Sequence, residues 1–183
     1  MVANRDDGLN GEDLLLDRDT PDRFGVPLNI MGRHPDDFFS ILGRIVALAA
    51  VLENKILVFY QYLVGRRQED HTELGVGELI ANALQELHRL PPADGDLAKE
   101  WLLEAKAIAS KRNDYVHNMW PAQGDGRLFG WRVPKKRNAT AWITTEATLD
   151  EMRGDLNRLV ALLQVNRLNR ILGLVSGGQH LKS

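Results

Sequence analysis

Residues 35–65 read PDDFFSILGRIVALAAVLENKILVFYQYLVG, and their spacing decides the fold. Pro35 suits the first turn of a helix, and Asp36 and Asp37 set negative charge against the positive end of its dipole. From there Phe38, Leu42, Ile45, Ala49, Leu52, Ile56, Phe59 and Leu63 recur at steps of three and four. That period predicts one long amphipathic helix ending near Gly65. A helix with a single apolar stripe must bury it against another element, so the rest of the chain has to supply matching stripes.

It does so three times. Leu79, Ile80, Ala83, Leu84 and Leu87 form a shorter stripe that Pro91 and Pro92 stop. A third helix is expected to open near Asp94 or Asp96, to bury Leu97, Trp101, Ala105, Ile108 and Ala109, and to continue into Tyr115 and Val116. Asn118 and Pro121 break it. Thr148-Leu149-Asp150-Glu151 reads as a capping box launching a fourth long helix. Its seam is Leu149, Met152, Leu156, Leu159 and Leu163, and Gly173, Gly177 and Gly178 dissolve the pattern.

Between the third and fourth helices the period changes to two: Phe129, Trp131 and Val133 alternate with Leu128, Gly130 and Arg132. This predicts a short antiparallel hairpin, with residues 140–144 as its second strand and a turn at 135–138. The expected fold is therefore mainly α, an up-and-down four-helix bundle with a hairpin inserted at about 125–145. The bundle spans 34–175, preceded by an aperiodic, flexible or surface-wrapped arm at 1–33 and followed by a flexible tail at 176–183.

The composition bounds what such a domain can do. The length of 183 residues suits one core, and 44% hydrophobic with 26% charged residues is ordinary for a globular chain. A formal charge of −2 gives no global attraction for nucleic acid, so any anion site must be local. With no cysteine there is no disulfide, thiolate nucleophile or cysteine metal site. No apolar run reaches the roughly 18 residues of a membrane span, which makes the cytoplasm the expected compartment. His34, His71, His88, His117 and His180 show no ligand spacing, so neither a metal nor another cofactor is expected.

One segment breaks the logic of a core helix: Lys111-Arg112-Asn113-Asp114-Tyr115-Val116-His117-Asn118-Met119-Trp120 concentrates functional side chains where the apolar stripe should continue. Asn113 and His117, four apart, share a face. Arg112 and His117, five apart, diverge by about 140°, a gap that the long arginine or a loosened last turn must close. A guanidinium offers a planar fork for phosphate, and a histidine takes and returns a proton near neutrality. Together they suit metal-independent RNA cleavage, in which a ribose 2′-hydroxyl attacks the adjacent phosphate. Asn113 could orient His117 or hold a phosphate oxygen. The plainer reading is a C-terminal cap, in which basic side chains bond the last free carbonyls. Asp114 is expected as an exposed partner of Lys111. Glu53 is either a buried partner for an Arg or Tyr of the third helix or a solvated residue at the stripe's edge.

The pattern Arg112-Asn113-x-x-x-His117 resembles the Arg-x(4–6)-His signature of the HEPN superfamily, and its place near the end of a long late helix matches that family too. The resemblance covers about 35–172. It implies a homodimer whose two motifs face each other across a cleft, and, in many members, metal-independent endoribonuclease activity in toxin–antitoxin, phage-defence or RNA-processing systems. Carried over, Arg112 and His117 become the catalytic pair and Asn113 their polar support, with RNA as substrate and an antitoxin or other protein as a further partner. Toxins of this family that pair with a nucleotidyltransferase often carry Tyr two residues after the His, where this chain has Met119. Other HEPN-like proteins keep the bundle as a binding or scaffold module.

Lys111 and the hairpin cations Arg132, Lys135, Lys136 and Arg137, with Arg127, are candidate RNA contacts, interleaved as they are with Phe129, Trp131 and Trp142. The plainer reading packs the aromatic face on the bundle and leaves the cations in water. Against the ribonuclease reading stands a non-catalytic helical protein-interaction module. Binding of a nucleotide or small anion would need a closed pocket, and no phosphate-cradling glycine loop signals one.

Overall fold

The computed structural model describes residues 21, 25–27, 34, 37–65, 74–120, 128–132 and 143–176. Among them are five α-helices and one two-stranded antiparallel sheet: α1 (Asp37–Val64), α2 (Val76–Glu86), α3 (Pro92–His117), β1 (Leu128–Arg132), β2 (Ile143–Ala147), α4 (Leu149–Leu162) and α5 (Val165–Ser176). The chain divides into two compact units, one of Asp37–Asn118 with Leu149–Ser183 and one of Met1–Asp36 with Met119–Thr148. No described helix is long and apolar enough to cross a membrane.

In the helical unit α1 is the organising element, packing against α2, α3, α4 and α5. At 28 residues it is about 42 Å long. Its buried seam is Phe38, Ile41, Ile45, Ala49, Leu52, Ile56, Phe59 and Leu63. One position differs from the expected stripe, Ile41 going in while Leu42 is half-buried. Phe59 meets Trp101 of α3 with ring centroids 5.9 Å apart. Trp101 is fully buried, and its indole N–H donates to the carbonyl of Leu162 at 3.4 Å, one of the carbonyls that the end of α4 leaves free.

Three helix boundaries depart from the sequence reading. α2 gives way at Glu86 to a 3-10 turn, Leu87–Arg89, before the proline pair. Pro92 is the first residue of α3, two residues ahead of Asp94, because a proline with no N–H to satisfy fits the first turn; Gly95 N–H already donates to Pro91 O at 2.8 Å. The expected fourth long helix is two helices. Continuing the α4 seam of Met152, Asp155, Leu159 and Leu162 by helical steps would bury Asn166, Asn169 and Gly173, all of which are exposed. A tightened turn at Leu163, whose N–H is shared between Leu159 O at 3.1 Å and Val160 O at 3.2 Å, rephases the chain. Leu168, Ile171 and Val175 then face inward. Their burial carries α5 through Gly173 to Ser176, past the glycine expected to end it.

In the other unit β1 and β2 pair from Leu128↔Ala147 to Arg132↔Ile143. The second strand lies three residues later than 140–144, and the expected turn at 135–138 is outside the described residues. Leu128, Gly130 and Ala147 are buried, whereas Phe129 and Trp131 are half-buried. The opposite edge of β1 bonds Met119, whose N–H reaches Trp131 O at 2.8 Å and whose carbonyl accepts from Trp131 N–H at 3.1 Å. Of the expected N-terminal arm only residues 21 and 25–27 are described. There Pro21 bridges Pro27 around Gly25, whose φ of 80° favours glycine.

Candidate functional site at the end of α3

The buried face of α3 steps through Ala98, Trp101, Ala105 and Ile108. The next three- and four-residue steps fall on Arg112 and then on Tyr115, so a guanidinium occupies a seam position where the pattern would place an apolar side chain. Its neutralising partner comes from α1. Arg112 Nη2–H donates to Glu53 Oε1 at 2.8 Å, and Nη1–H donates to Asn113 Oδ1 at 2.9 Å. Arg112 keeps 22% of its side-chain exposure and Glu53 33%. Glu53 therefore combines the two placements the sequence left open, pairing with an arginine of the third helix and still meeting water. Arg112 Nε is buried without a hydrogen-bond partner among the described residues.

α3 stays helical through His117, so the last turn does not loosen toward Arg112. Among the described residues no hydrogen bond joins Arg112 to His117, and the guanidinium goes to a carboxylate and an amide, not to the terminal carbonyls of a cap. Asn113 Oδ1 accepts from Arg112, and among the described residues no hydrogen bond joins Asn113 to His117. His117 is exposed, as is Lys111, while Asp114 is half-buried where an exposed position was expected. Asn118 leaves the helix with φ −90° and ψ 144°, its N–H still bonded to Asp114 O at 3.2 Å. Its side chain is buried, and the amide has no hydrogen-bond partner among the described residues.

A second polar pair anchors the same turn. Tyr115, 2% exposed, donates its O–H to Asp155 Oδ2 of α4 at 2.6 Å, and Asp155 Oδ1 accepts from Arg158 Nη1 at 3.2 Å. Burial, then the hydrogen bond to Asp155 and the negative charge around it, raise the tyrosine's pKa well above its ordinary value, so the hydroxyl remains a donor throughout the physiological range. Asp155 is absent from the expected seam because that seam counts apolar residues alone. The signal was present: Met152, Asp155, Leu159 and Leu162 step by three, four and three.

Of the remaining candidates, Arg132 ends β1 in the other unit and is half-buried, and Lys135, Lys136 and Arg137 lie outside the described residues. No group of three or more His, Asp or Glu side chains among the described residues could hold a metal ion. Two cavities of about 490 and 430 Å³ include none of Arg112, Asn113 and His117. In comparisons with known proteins, no family model, curated protein or solved structure matches this chain.

Proposed function

We propose that the chain is a HEPN-type protein, its helices forming a four-helix bundle in which α4 and α5 together make the fourth member. It acts as a metal-independent endoribonuclease in the cytoplasm, in a toxin–antitoxin or phage-defence setting. The observation that carries this reading is Arg112, a guanidinium on a core seam with a carboxylate and an amide arranged around it, five residues before the exposed His117. Arg112 would bind the scissile phosphate. His117 would move the proton as the ribose 2′-oxygen attacks phosphorus and the 5′-oxygen leaves, giving a 2′,3′-cyclic phosphate. Because Arg112 and His117 diverge along a regular helix, the reading calls for a homodimer in which a second copy completes the cleft. Lys111, and separately Arg132, Lys135, Lys136 and Arg137, would each be candidates for contacts to RNA phosphates.

The test is cleavage of a mixed RNA pool in EDTA by wild type, Arg112→Ala and His117→Ala, with oligomeric state measured on the same samples. Cleavage by wild type and losses on the order of 10²-fold or more in both folded variants are expected. Unchanged cleavage in either variant sinks the assignment. The second reading, a non-catalytic protein-interaction module with an antitoxin or other protein as partner, draws on Phe39, Val46 and Val51. These α1 side chains are 41%, 37% and 45% exposed. Dimers that bind no RNA and cut none favour it.

A further inference from the structure

We infer that Glu53 is an affinity-determining residue of the Arg112 site, a built-in counter-anion that an RNA phosphate must displace from the guanidinium. The inference rests on the reading of Arg112 as a phosphate ligand. An interhelical ion pair made only for stability would satisfy both partners, and this one does not. Arg112 gives Nη2–H to Glu53 and Nη1–H to Asn113, and its Nε–H is left buried with no acceptor among the described residues. A phosphate gripped across the Nε/Nη2 edge would satisfy the idle donor while taking Nη2 from the carboxylate, in the parallel two-bond geometry that guanidinium and phosphate favour. Solvent reaches parts of both side chains, so an anion can approach the pair, and the buried Nε becomes reachable as the two side chains shift apart. Asn113 Oδ1 can keep its bond to Nη1 throughout the exchange. The Glu53 carboxylate, still within a few ångströms, then repels the phosphate it has yielded to, which holds binding below what Arg112 alone would give.

The two roles predict opposite signs. Glu53→Gln keeps the size and an acceptor oxygen for Nη2 but removes the charge. A purely structural carboxylate would leave RNA binding unchanged or weakened on substitution, whereas a competing anion tightens it when neutralised. The experiment is fluorescence anisotropy of a labelled single-stranded RNA of mixed sequence in EDTA at low salt. The full chain is used as wild type, Glu53→Gln, Glu53→Asp, Arg112→Ala and the Glu53→Gln/Arg112→Ala double variant, with a melting curve for each. Glu53→Gln should bind about three- to tenfold tighter than wild type. Glu53→Asp, which keeps the charge, should not, and the gain should vanish in the double variant. Equal or weaker binding by Glu53→Gln, with Arg112→Ala still weaker than wild type, overturns the role of Glu53 and leaves the phosphate site standing. Binding that is indifferent to Arg112→Ala overturns the parent reading, and the inference with it.

Discussion

Replacing Tyr115 by Phe deletes one oxygen from the core and tests whether the Tyr115–Asp155 bond holds the end of α3 to α4. The hydroxyl donates to Asp155 Oδ2 at 2.6 Å, and the carboxylate is 5% exposed. Without it, the remaining described donor to Asp155 is Arg158, at 3.2 Å and with 72% of its own side chain in water. A hydrogen bond to a charged group contributes about 1.5–3 kcal/mol. Because water cannot easily replace the lost donor, Tyr115→Phe should cost about 2 kcal/mol. For a chain of this size that is a fall in Tm of about 4–8 °C near neutral pH.

The pH dependence carries the sharper signature. Tyr115 has its pKa raised in the folded state above the ordinary value of 10.0, chiefly by burial and then by Asp155. The stability linked to that raised pKa is fully present below pH 10. Above it the unfolded chain releases a proton that the folded protein retains, so wild type loses about 1.4 kcal/mol per pH unit relative to Tyr115→Phe. Urea unfolding of both proteins from pH 7 to 11 reads the difference directly, because titration of the other tyrosines and the lysines cancels between them. A gap under about 0.5 kcal/mol at pH 7, or one that stays constant to pH 11, refutes the buried bond as described.

Two further outcomes test the helical framework. Gly173 lies on the exposed face of α5, and a Cβ there would meet nothing within 4 Å. Gly173→Ala should therefore raise stability by about 0.5–1 kcal/mol in chemical denaturation, whereas destabilisation would mean that α5 does not persist through this position. Trp101→Ala should cost about 3–5 kcal/mol, and Trp101→Phe less than half of that, since a ring still faces Phe59 while the bond to Leu162 O is lost. Equal losses in the two variants would contradict the packing of the Trp101 ring against its neighbours as the main contribution.

The helices were legible in the sequence wherever burial followed a simple period. Seven of the eight expected positions on α1 are buried, because a 28-residue helix flanked by partners has no freedom to rotate its stripe. Leu42 lost to Ile41 because neighbouring apolar residues at a stripe's edge are resolved only by the shape of the partner helix. On α4 the stripe was misjudged by one residue. An apolar count assigns Leu156 and Leu163 to the core, and only the tyrosine of another helix makes the carboxylate of Asp155 a core side chain. The break before α5 was hidden by leucines on both sides of the junction, although Asn166 and Asn169 mark where a straight helix would have buried amides. At the candidate site the motif could be read directly. The polar Glu53 within the α1 stripe already pointed to a partner on the third helix, but with 59 residues between them the choice of Arg112 over Tyr115 needed the packing.

The two polar pairs also act as a vernier for the helices. Apolar seams of three- and four-residue steps look much alike after a slide of seven residues, about 10 Å along the axis, so hydrophobic burial by itself discriminates poorly between alignments. Such a slide of α3 along α1 would bring Arg112 opposite Val46 or Tyr60 in place of Glu53, and a slide along α4 would part Tyr115 from Asp155. Either misalignment strands a charged group on a seam without its partner, a penalty large compared with any gain from repacked methyl groups. The two polar pairs at the end of α3 thus favour one alignment of the helices around it over its seven-residue neighbours.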